Sequence, residues 1–161
     1  MNRQQFITHV ESCQKALRRF LTALCCGDSQ LADDIAQEAL IKAYLSSEGF
    51  RNADSFNAWI YRIAYNTFLN HRRSQKHTAG YEEAEAIVSD SASDSAFRYQ
   101  DLYTSLEKLP DRERSSILLF YMEGYSIKEI SGITEASEDA VKQYLSRGRK
   151  HLRTLMNLQS R

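Results

Sequence analysis

The segment 126–153 constrains the fold most, because its residues predict two capped helices in immediate succession. Ser126 and Glu129 lie three residues apart, the spacing at which a hydroxyl and a carboxylate satisfy the free backbone amides at a helix start. Ser137 can cap a second helix. The two acids that follow it would stabilise the start of that helix, because the N-terminal end of the helix dipole is positive. A four-residue link, 133–136, is expected between the helices. The pattern predicts a helix-turn-helix.

The second of these helices has an apolar stripe and a basic face. Recurrence at steps of three and four predicts that one side is buried, and that side carries Val141, Leu145, Gly148, Leu152 and Leu155. The opposite side carries donors that can reach phosphates and base edges from the major groove, namely Lys142, Gln143, Ser146, Arg147, Arg149, Lys150 and Arg153. An ordinary solvated helix would have the same charge. Its position behind a short capped helix favours DNA binding.

Charge is segregated along the chain, although 21 basic and 21 acidic residues give a formal net charge of zero. The net charge is −4 over 28–48, +4 over 51–78, −5 over 81–101 and +4 over 137–161. Alternating blocks of this kind indicate several separate contact surfaces. One proline and six glycines in 161 residues, with 42% apolar content, favour an all-α protein with core enough for two small domains.

Several classes of protein are disfavoured by what the sequence contains. Cys13, Cys25 and Cys26 are too few for a set of four paired zinc ligands, and an odd number argues against a disulfide framework. The longest apolar run, 117–122, is far shorter than the ~20 residues of a membrane helix, and no leader pattern is expected at the N terminus. The sequence shows no pattern of an acid–base pair or of a nucleophile with its base, so an enzyme is not expected. We expect a cytoplasmic protein without metal, cofactor or membrane insertion.

The first half of the chain predicts three helices, over about 6–24, 29–45 and 55–75. In the second helix an apolar residue recurs every fourth position, at Leu31, Ile35, Ala39 and Ala43. Its outer face carries Asp33, Asp34, Gln37 and Glu38. This face is either a solvated surface supported by a Glu38–Lys42 pair or an acidic docking surface for a partner.

The third helix places aromatic, amide and basic side chains beside its apolar stripe. The stripe consists of Phe56, Trp59, Ile60, Ile63 and Ala64. The adjacent face carries Arg62, Asn66, Asn70 and Arg73, with Tyr61, Tyr65 and Phe68 next to them. Aromatic rings and amides are what unpaired bases bind by stacking and hydrogen bonding. Tyrosines at the edge of a core would give the same pattern, so both interpretations stay open at this point.

An acidic stretch rich in serine and alanine, 77–96, shows no sustained apolar period and predicts a flexible linker. Helical spacing resumes near Phe97, and Pro110 suits the first turn of a following helix over 111–122. That helix is expected to supply core through Ile117, Leu118, Phe120 and Tyr121. We therefore predict a domain over 1–76, a linker over 77–96 and a four-helix domain over 97–161 that contains the helix-turn-helix.

Three motifs in this order, followed by the helix-turn-helix, resemble the extracytoplasmic-function sigma factors of the sigma-70 family. They are LADDIAQEALIKAY at 31–44, FNAWIYRIAYN at 56–66 and LPDRER at 109–114. The resemblance implies an alternative sigma factor, which binds core RNA polymerase and directs promoter-specific initiation without catalysis of its own. It also implies promoter DNA, duplex and melted, and an anti-sigma factor as partners.

The resemblance assigns roles by position. Polymerase docking falls to Asp33, Asp34, Gln37 and Glu38. Recognition and melting of the minus-10 element fall to Trp59, Tyr61, Arg62, Tyr65, Asn66, Asn70 and Arg73, with Asn66 and Asn70 at the positions that hold a flipped base. Recognition of the minus-35 element falls to Lys142, Gln143, Ser146 and Arg147, while Arg149, Lys150 and Arg153 are expected to bind phosphate.

The helix-turn-helix departs from the family pattern in two places. Glycine is usual in the turn, where this chain has Glu135, and Thr-Val-Lys-Ser-Arg usually opens the recognition helix, where 140–144 are Ala-Val-Lys-Gln-Tyr. Tyr144 either alters base preference or packs inward, so Gln143 and Tyr144 are where promoter choice is expected to differ. The alternative from another class is a stand-alone helix-turn-helix regulator with an N-terminal dimerisation or sensing domain, which would bind duplex operator DNA without polymerase.

Overall fold

A computed structural model describes residues 1–50, 55–77 and 94–159 of the chain, and these residues form seven α-helices and no strand. The helices are α1 (Arg3–Leu24), α2 (Ser29–Ser46), α3 (Phe56–His77), α4 (Asp94–Glu107), α5 (Asp111–Ile117), α6 (Ile127–Thr134) and α7 (Glu138–Gln159). We call 1–77 the first half and 94–159 the second half. The prediction of an all-α chain with a C-terminal four-helix helix-turn-helix is confirmed. The division at 76 and 97 stays a prediction, and most of the predicted linker lies outside the described residues.

The first half is a three-helix bundle whose boundaries are set by side-chain caps. Asn2 and Gln5 form a capping box, so α1 begins three residues earlier than its apolar spacing predicts. Asp28 accepts a hydrogen bond from the Leu31 amide and starts α2. The two helices and α3 enclose a core of fully buried apolar side chains, among them Leu17, Phe20, Leu21, Ile35, Phe56, Ile60 and Phe68.

The second half contains the predicted helix-turn-helix with its predicted caps. Ser126 and Glu129 exchange their two bonds at 3.1 Å, and Ser137 Oγ accepts from the Ala140 amide at 3.1 Å. The predicted link over 133–136 is wrong, because α6 continues to Thr134, whose hydroxyl bonds back to the Ile130 carbonyl. The turn therefore occupies only the three residues between α6 and α7.

The predicted single helix over 111–122 is interrupted. After α5, Leu118–Met122 form a π-helical turn, in which the Glu123 amide donates to the Leu118 carbonyl at 3.2 Å. Such a turn inserts one residue into the helical repeat and rotates the side chains that follow it. Tyr121, expected in the core, is consequently 58% exposed, and that part of the prediction is wrong.

The two halves pack against each other around a buried arginine. The Arg114 side chain is 2% exposed, and it donates to the carbonyls of Leu24 at 2.8 Å, Leu106 at 2.9 Å and Leu109 at 3.0 Å. The Leu24 carbonyl ends α1 in the first half, while Leu106 lies in the last turn of α4 and Leu109 follows that helix by two residues. Helix C-termini leave carbonyls unsatisfied, so one guanidinium here satisfies carbonyls from both halves.

A glycine lets the halves approach closely at the same place. Gly27, in the turn between α1 and α2, has a φ of 93°, and a Cβ on it would lie 3.1 Å from the ring of Tyr103 in α4. Any other residue would be strained in this conformation and crowded by the ring. Within the described ranges, no helix is long and apolar enough to cross a membrane.

Candidate nucleic-acid interface

The outer face of α7 is fully available. Lys142, Gln143, Ser146, Arg147, Arg149, Lys150 and Arg153 are all exposed, and we call them the α7 face. On the opposite side Val141 is 0% and Leu145 is 2% exposed. Gly148 lets α7 lie close to α5, since a Cβ there would lie 2.8 Å from Cγ1 of Ile117. The predicted buried stripe is thus confirmed at its centre, and it directs seven donors toward solvent.

Two aromatic residues near the α7 face differ in their accessibility. Tyr144 is half-buried, and it adds, after the larger effect of burial, to the raised pKa of Tyr65 of α3. Of the two interpretations given for Tyr144, inward packing agrees with this position. Tyr121 lies on the surface, where its hydroxyl accepts from Arg149 Nη1 at 3.1 Å. Periodicity missed Tyr121, because nothing in the sequence signalled the π-helical turn.

The predicted face on α3 is divided between covered and accessible side chains. We call Trp59, Tyr61, Arg62, Tyr65, Asn66, Asn70 and Arg73 the α3 face. Tyr61 is 2% and Tyr65 0% exposed, whereas Asn66 is half-buried and Asn70 and Arg73 are exposed. Trp59 is half-buried and stacks on Phe50, with ring centroids 4.5 Å apart.

Residues of the second half contact both buried tyrosines of the α3 face. Tyr61 Oη donates to Glu123 Oε2 at 3.0 Å, and its ring meets that of Tyr125 edge-on at 5.3 Å. The hydroxyl of Ser115 donates to that of Tyr65 at 3.3 Å. Burial, followed by the charge of Glu123, raises the pKa of Tyr61, so its hydroxyl stays protonated and remains a donor.

Arginines of α3 make ion pairs with the second half. The Arg62 guanidinium pairs with the Glu135 carboxylate, and both side chains are about half exposed. Arg72 Nη2 lies 3.4 Å from Asp111 Oδ1 at the start of α5. Both pairs join the basic segment of the first half to acids of the second. Coulomb attraction therefore adds to the aromatic packing across this seam.

The acidic face of α2 is largely solvent-exposed. Asp34 and Gln37 are exposed, and Asp33 pairs with Arg18 at 2.9 Å. Glu38 accepts from His71 Nε2 at 2.9 Å and pairs with Lys42 at 3.1 Å, which confirms the predicted Glu38–Lys42 contact. The hydrogen bond with His71, then that with Lys42, lowers the pKa of Glu38.

An apolar patch that sequence reasoning missed continues this face. Ile41 is 61%, Tyr44 46% and Leu45 75% exposed, the largest exposed apolar side chains of the first half. Gln37, Ile41 and Leu45 are spaced by four, so they lie in one line along α2. That spacing was the available signal. Acidic and apolar side chains together form the α2 face, a mixed surface suited to a protein partner.

Burial raises the pKa of all three cysteine thiols. Burial raises the pKa of Cys13 to about 11 and that of Cys25 to about 12, so both stay as thiols at neutral pH. Among the residues described, no group of three or more histidine, cysteine or acidic side chains could hold a metal ion.

Two family models match the chain, one on each half. The model for sigma-70 region 2 matches residues 9–78, and the model for sigma-70, region 4 matches residues 99–152. The ECF RNA polymerase sigma factor SigW of Bacillus subtilis (strain 168) is 32% identical over 142 residues, which cover 79% of this chain and 76% of SigW. The ECF RNA polymerase sigma-E factor of Escherichia coli (strain K12) is 30% identical over 132 residues, which cover 73% of this chain and 69% of the sigma-E factor.

Solved structures share the fold over nearly the whole chain. The sigma factor RpoE in complex with the anti-sigma factor NepR, from Bartonella quintana, superposes with a TM-score of 0.78 at 25% identity, covering 94% of this chain and 96% of RpoE. CnrH in complex with the cytosolic domain of CnrY superposes with a TM-score of 0.72 at 22% identity, covering 98% of this chain and 90% of CnrH.

Proposed function

The chain belongs to the extracytoplasmic-function sigma factors, and on that premise we propose which of its surfaces bind polymerase and which bind the promoter. It is an alternative sigma factor, which binds core RNA polymerase and directs promoter-specific transcription initiation, and it is not an enzyme. The polymerase performs the chemistry. We place its action in the cytoplasm, because the polymerase acts there.

The α2 face docks on core polymerase. Asp33, Asp34, Gln37 and Glu38 supply charge and hydrogen bonding, and Ile41 with Leu45 supplies apolar area on the same side of the helix. Protein interfaces combine an apolar centre with a polar rim, which is the composition found here. Glu38 has partners within the first half, so Asp34 and Gln37 are the polar side chains most available to polymerase.

The α3 face recognises and melts the minus-10 element. Trp59, Tyr61 and Tyr65 offer rings on which bases stack, and Asn66 and Asn70 offer amides that can bond the edge of a flipped base. Arg62 and Arg73 attract the phosphates. The α7 face binds the minus-35 element, with Lys142, Gln143, Ser146 and Arg147 at the base edges and Arg149, Lys150 and Arg153 at the phosphates.

The observation that supports this division is that the α3 and α7 faces fall in separately matched sigma-70 regions of one chain. The test is transcription by core polymerase from a randomised promoter library, with and without the chain. We expect specific start sites only when the chain is present. Tight binding of duplex DNA by the chain alone, with no initiation on addition of polymerase, would support a stand-alone regulator instead.

We also propose that an anti-sigma factor binds this chain. The solved relatives RpoE and CnrH are in complex with NepR, an anti-sigma factor, and with the cytosolic domain of CnrY. A pull-down of the tagged chain from its native host should recover an inhibitor together with polymerase subunits. Recovery of polymerase without an inhibitor would end this proposal and leave the sigma-factor function untouched.

A further inference from the structure

The turn of the helix-turn-helix carries a residue that its backbone disfavours. Glu135 closes α6 with φ 58° and ψ 29°, in the left-handed region. This conformation suits glycine, whereas a side chain with a Cβ is strained there. Asparagine and aspartate relieve some of the strain through short local hydrogen bonds, but the longer glutamate side chain reaches away from its own backbone. A contact made by the carboxylate can offset part of this strain.

That contact crosses between the two halves. The Glu135 carboxylate pairs with Arg62 of α3, 73 residues earlier in the chain. Glu135 also precedes α7 by only three residues, and three residues of extended chain span about 11 Å. The start of the recognition helix is therefore held next to the α3 face. The Glu135 carboxylate also occupies the Arg62 guanidinium, which in the proposed function attracts a DNA phosphate instead.

This arrangement cannot persist on a promoter. The minus-10 and minus-35 elements lie about 25 base pairs apart by their names, which is about 85 Å along B-form DNA at about 3.4 Å per base pair. In this structure the two proposed readers lie on halves that pack together through several contacts, one of which is the Arg62–Glu135 pair. One chain can therefore read both elements only after the halves separate. Separation would break the Arg62–Glu135 pair and remove the contacts that Glu123 and Ser115 make with Tyr61 and Tyr65.

We propose that Glu135 is an autoinhibitory latch, whose carboxylate occupies Arg62 and holds the second half over the minus-10 face until polymerase separates the halves. The inference rests on the proposed function of the α3 and α7 faces. Both partners are half exposed, so the pair biases the equilibrium and does not lock it. Losing a half-exposed pair of this kind shifts a two-state equilibrium by about two- to fivefold.

The test compares Glu135→Gln with wild type in the full-length free chain. Glutamine keeps the length and the backbone strain of glutamate and removes only the charge. Donor and acceptor dyes at Glu11 of α1 and Thr154 of α7, both exposed, report the separation of the halves by single-molecule energy transfer. We expect the open fraction to rise about two- to fivefold. At about 1 M salt, where the screening length is about 3 Å, wild type and variant should converge.

The matched control is Glu138→Gln, which removes an exposed acid three residues away, in the first turn of α7. Its open fraction should equal that of wild type. A second variant, Glu135→Gly, removes the carboxylate and also relieves the strained backbone, so it should open the chain to at least the same extent even if the glutamine variant folds poorly. An open fraction unchanged in both Glu135 variants, or raised equally by Glu138→Gln, would overturn the latch.

Transcription separates this inference from the proposed function on which it rests. With core polymerase limiting, Glu135→Gln should initiate at the wild-type start sites and reach half-maximal activity at an about two- to fivefold lower concentration. Failure of the wild-type chain to direct any specific initiation would overturn the proposed function. Specific initiation by the wild type, combined with an unaltered open fraction and an unaltered half-maximal concentration in the variant, would overturn the latch alone.

Discussion

The α3 and α7 faces are both proposed to bind DNA, yet only one of them is fully exposed. All seven residues of the α7 face reach solvent, whereas Tyr61 and Tyr65 of the α3 face are buried and in contact with the second half. Lysine and arginine keep their charged ends in water and need no cover. Aromatic rings cost about 25 cal/mol for each Å² of apolar surface left in water. A surface that can stack on bases will also pack against protein when no bases are present.

The two faces therefore differ in when they can bind DNA. The α7 face can meet duplex DNA without rearrangement, because its stripe of donors is already directed outward. The α3 face must first lose its contacts with Glu123, Ser115 and Glu135. Melted DNA appears only inside the polymerase complex, so a face that is covered in the free chain is not titrated by the nonspecific sites of the genome.

Among the substitutions that test the difference between the covered α3 face and the exposed α7 face, Arg114→Met is expected to have the largest effect. Methionine fills similar space but leaves the carbonyls of Leu24, Leu106 and Leu109 without their buried donor. We expect a loss of about 3–5 kcal/mol in the free energy of unfolding, measured by urea denaturation. The control, Arg147→Met on the exposed α7 face, should stay within about 0.5 kcal/mol of wild type. Equal effects of the two substitutions would show that the seam does not depend on Arg114.

A functional contrast should separate the two faces. Asn66→Ala with Asn70→Ala removes two amides proposed to bind a flipped base, and we expect promoter opening to fall about 10- to 100-fold while core binding is retained. Permanganate reactivity of the melted strand measures the opening. Lys142→Ala with Arg147→Ala should instead weaken the first, unmelted complex, as seen by footprinting. Reversal of these two phenotypes would contradict the assignment of the faces.

The cover over the α3 face is tested by Tyr61→Phe. The ring remains available for stacking, but Glu123, whose side chain is 6% exposed, loses the hydrogen bond to its Oε2. Leaving a buried acceptor without its donor costs about 1–3 kcal/mol of stability. Tyr121→Phe is the control, because its exposed hydroxyl bonds to Arg149 within the second half. It should change the free energy of unfolding by less than about 0.5 kcal/mol.

The sequence predicted features that depend on nearby residues better than those that depend on distant ones. The caps at Ser126 and Ser137 and the buried stripe of α7 follow from spacings within one helix, and the structure confirms them. The contacts of Arg114 and of Glu135 join residues 90 and 73 positions apart, and no local pattern encodes such partners.

The same distinction explains the remaining misses. The π-helical turn that exposes Tyr121 is a one-residue insertion in the helical repeat, and it leaves the spacing of apolar residues almost unchanged. The sequence left the α3 tyrosines open as DNA readers or as core edges, because no local pattern encodes the contacts with Glu123 and Ser115 that they make here. The spacing of Ile41 and Leu45 places them in one row along α2. Their exposure could not be predicted, because the packing of all three helices decides which rows of side chains face solvent.

Salt dependence should distinguish the two kinds of contact within the α7 face. Lys150→Ala and Arg153→Ala are each expected to weaken binding equally on all promoters and to reduce the slope of log K against log salt by about one. Gln143→Ala should leave the slope unchanged and alter the preferred minus-35 bases. Fluorescence anisotropy with duplex DNA over a range of salt concentrations measures both. A reduced slope in the Gln143 variant would place that side chain at a phosphate.

The smallest effect concerns Glu38, for which helix support and polymerase docking were both open. Bonds from His71 and Lys42 lower the pKa of Glu38 in the folded chain, so the stability it contributes is present above its unfolded value, near 4.5, and is lost as the pH falls through the folded pKa. Because the side chain is nearly half exposed, we expect Glu38→Gln to cost only a few tenths of a kcal/mol at pH 7, and less as the pH falls through the folded pKa. Asp34→Asn, at an exposed position of the same face, serves as the comparison for core affinity. A loss of core affinity in Asp34→Asn that Glu38→Gln does not share would assign Glu38 to helix support and Asp34 to docking.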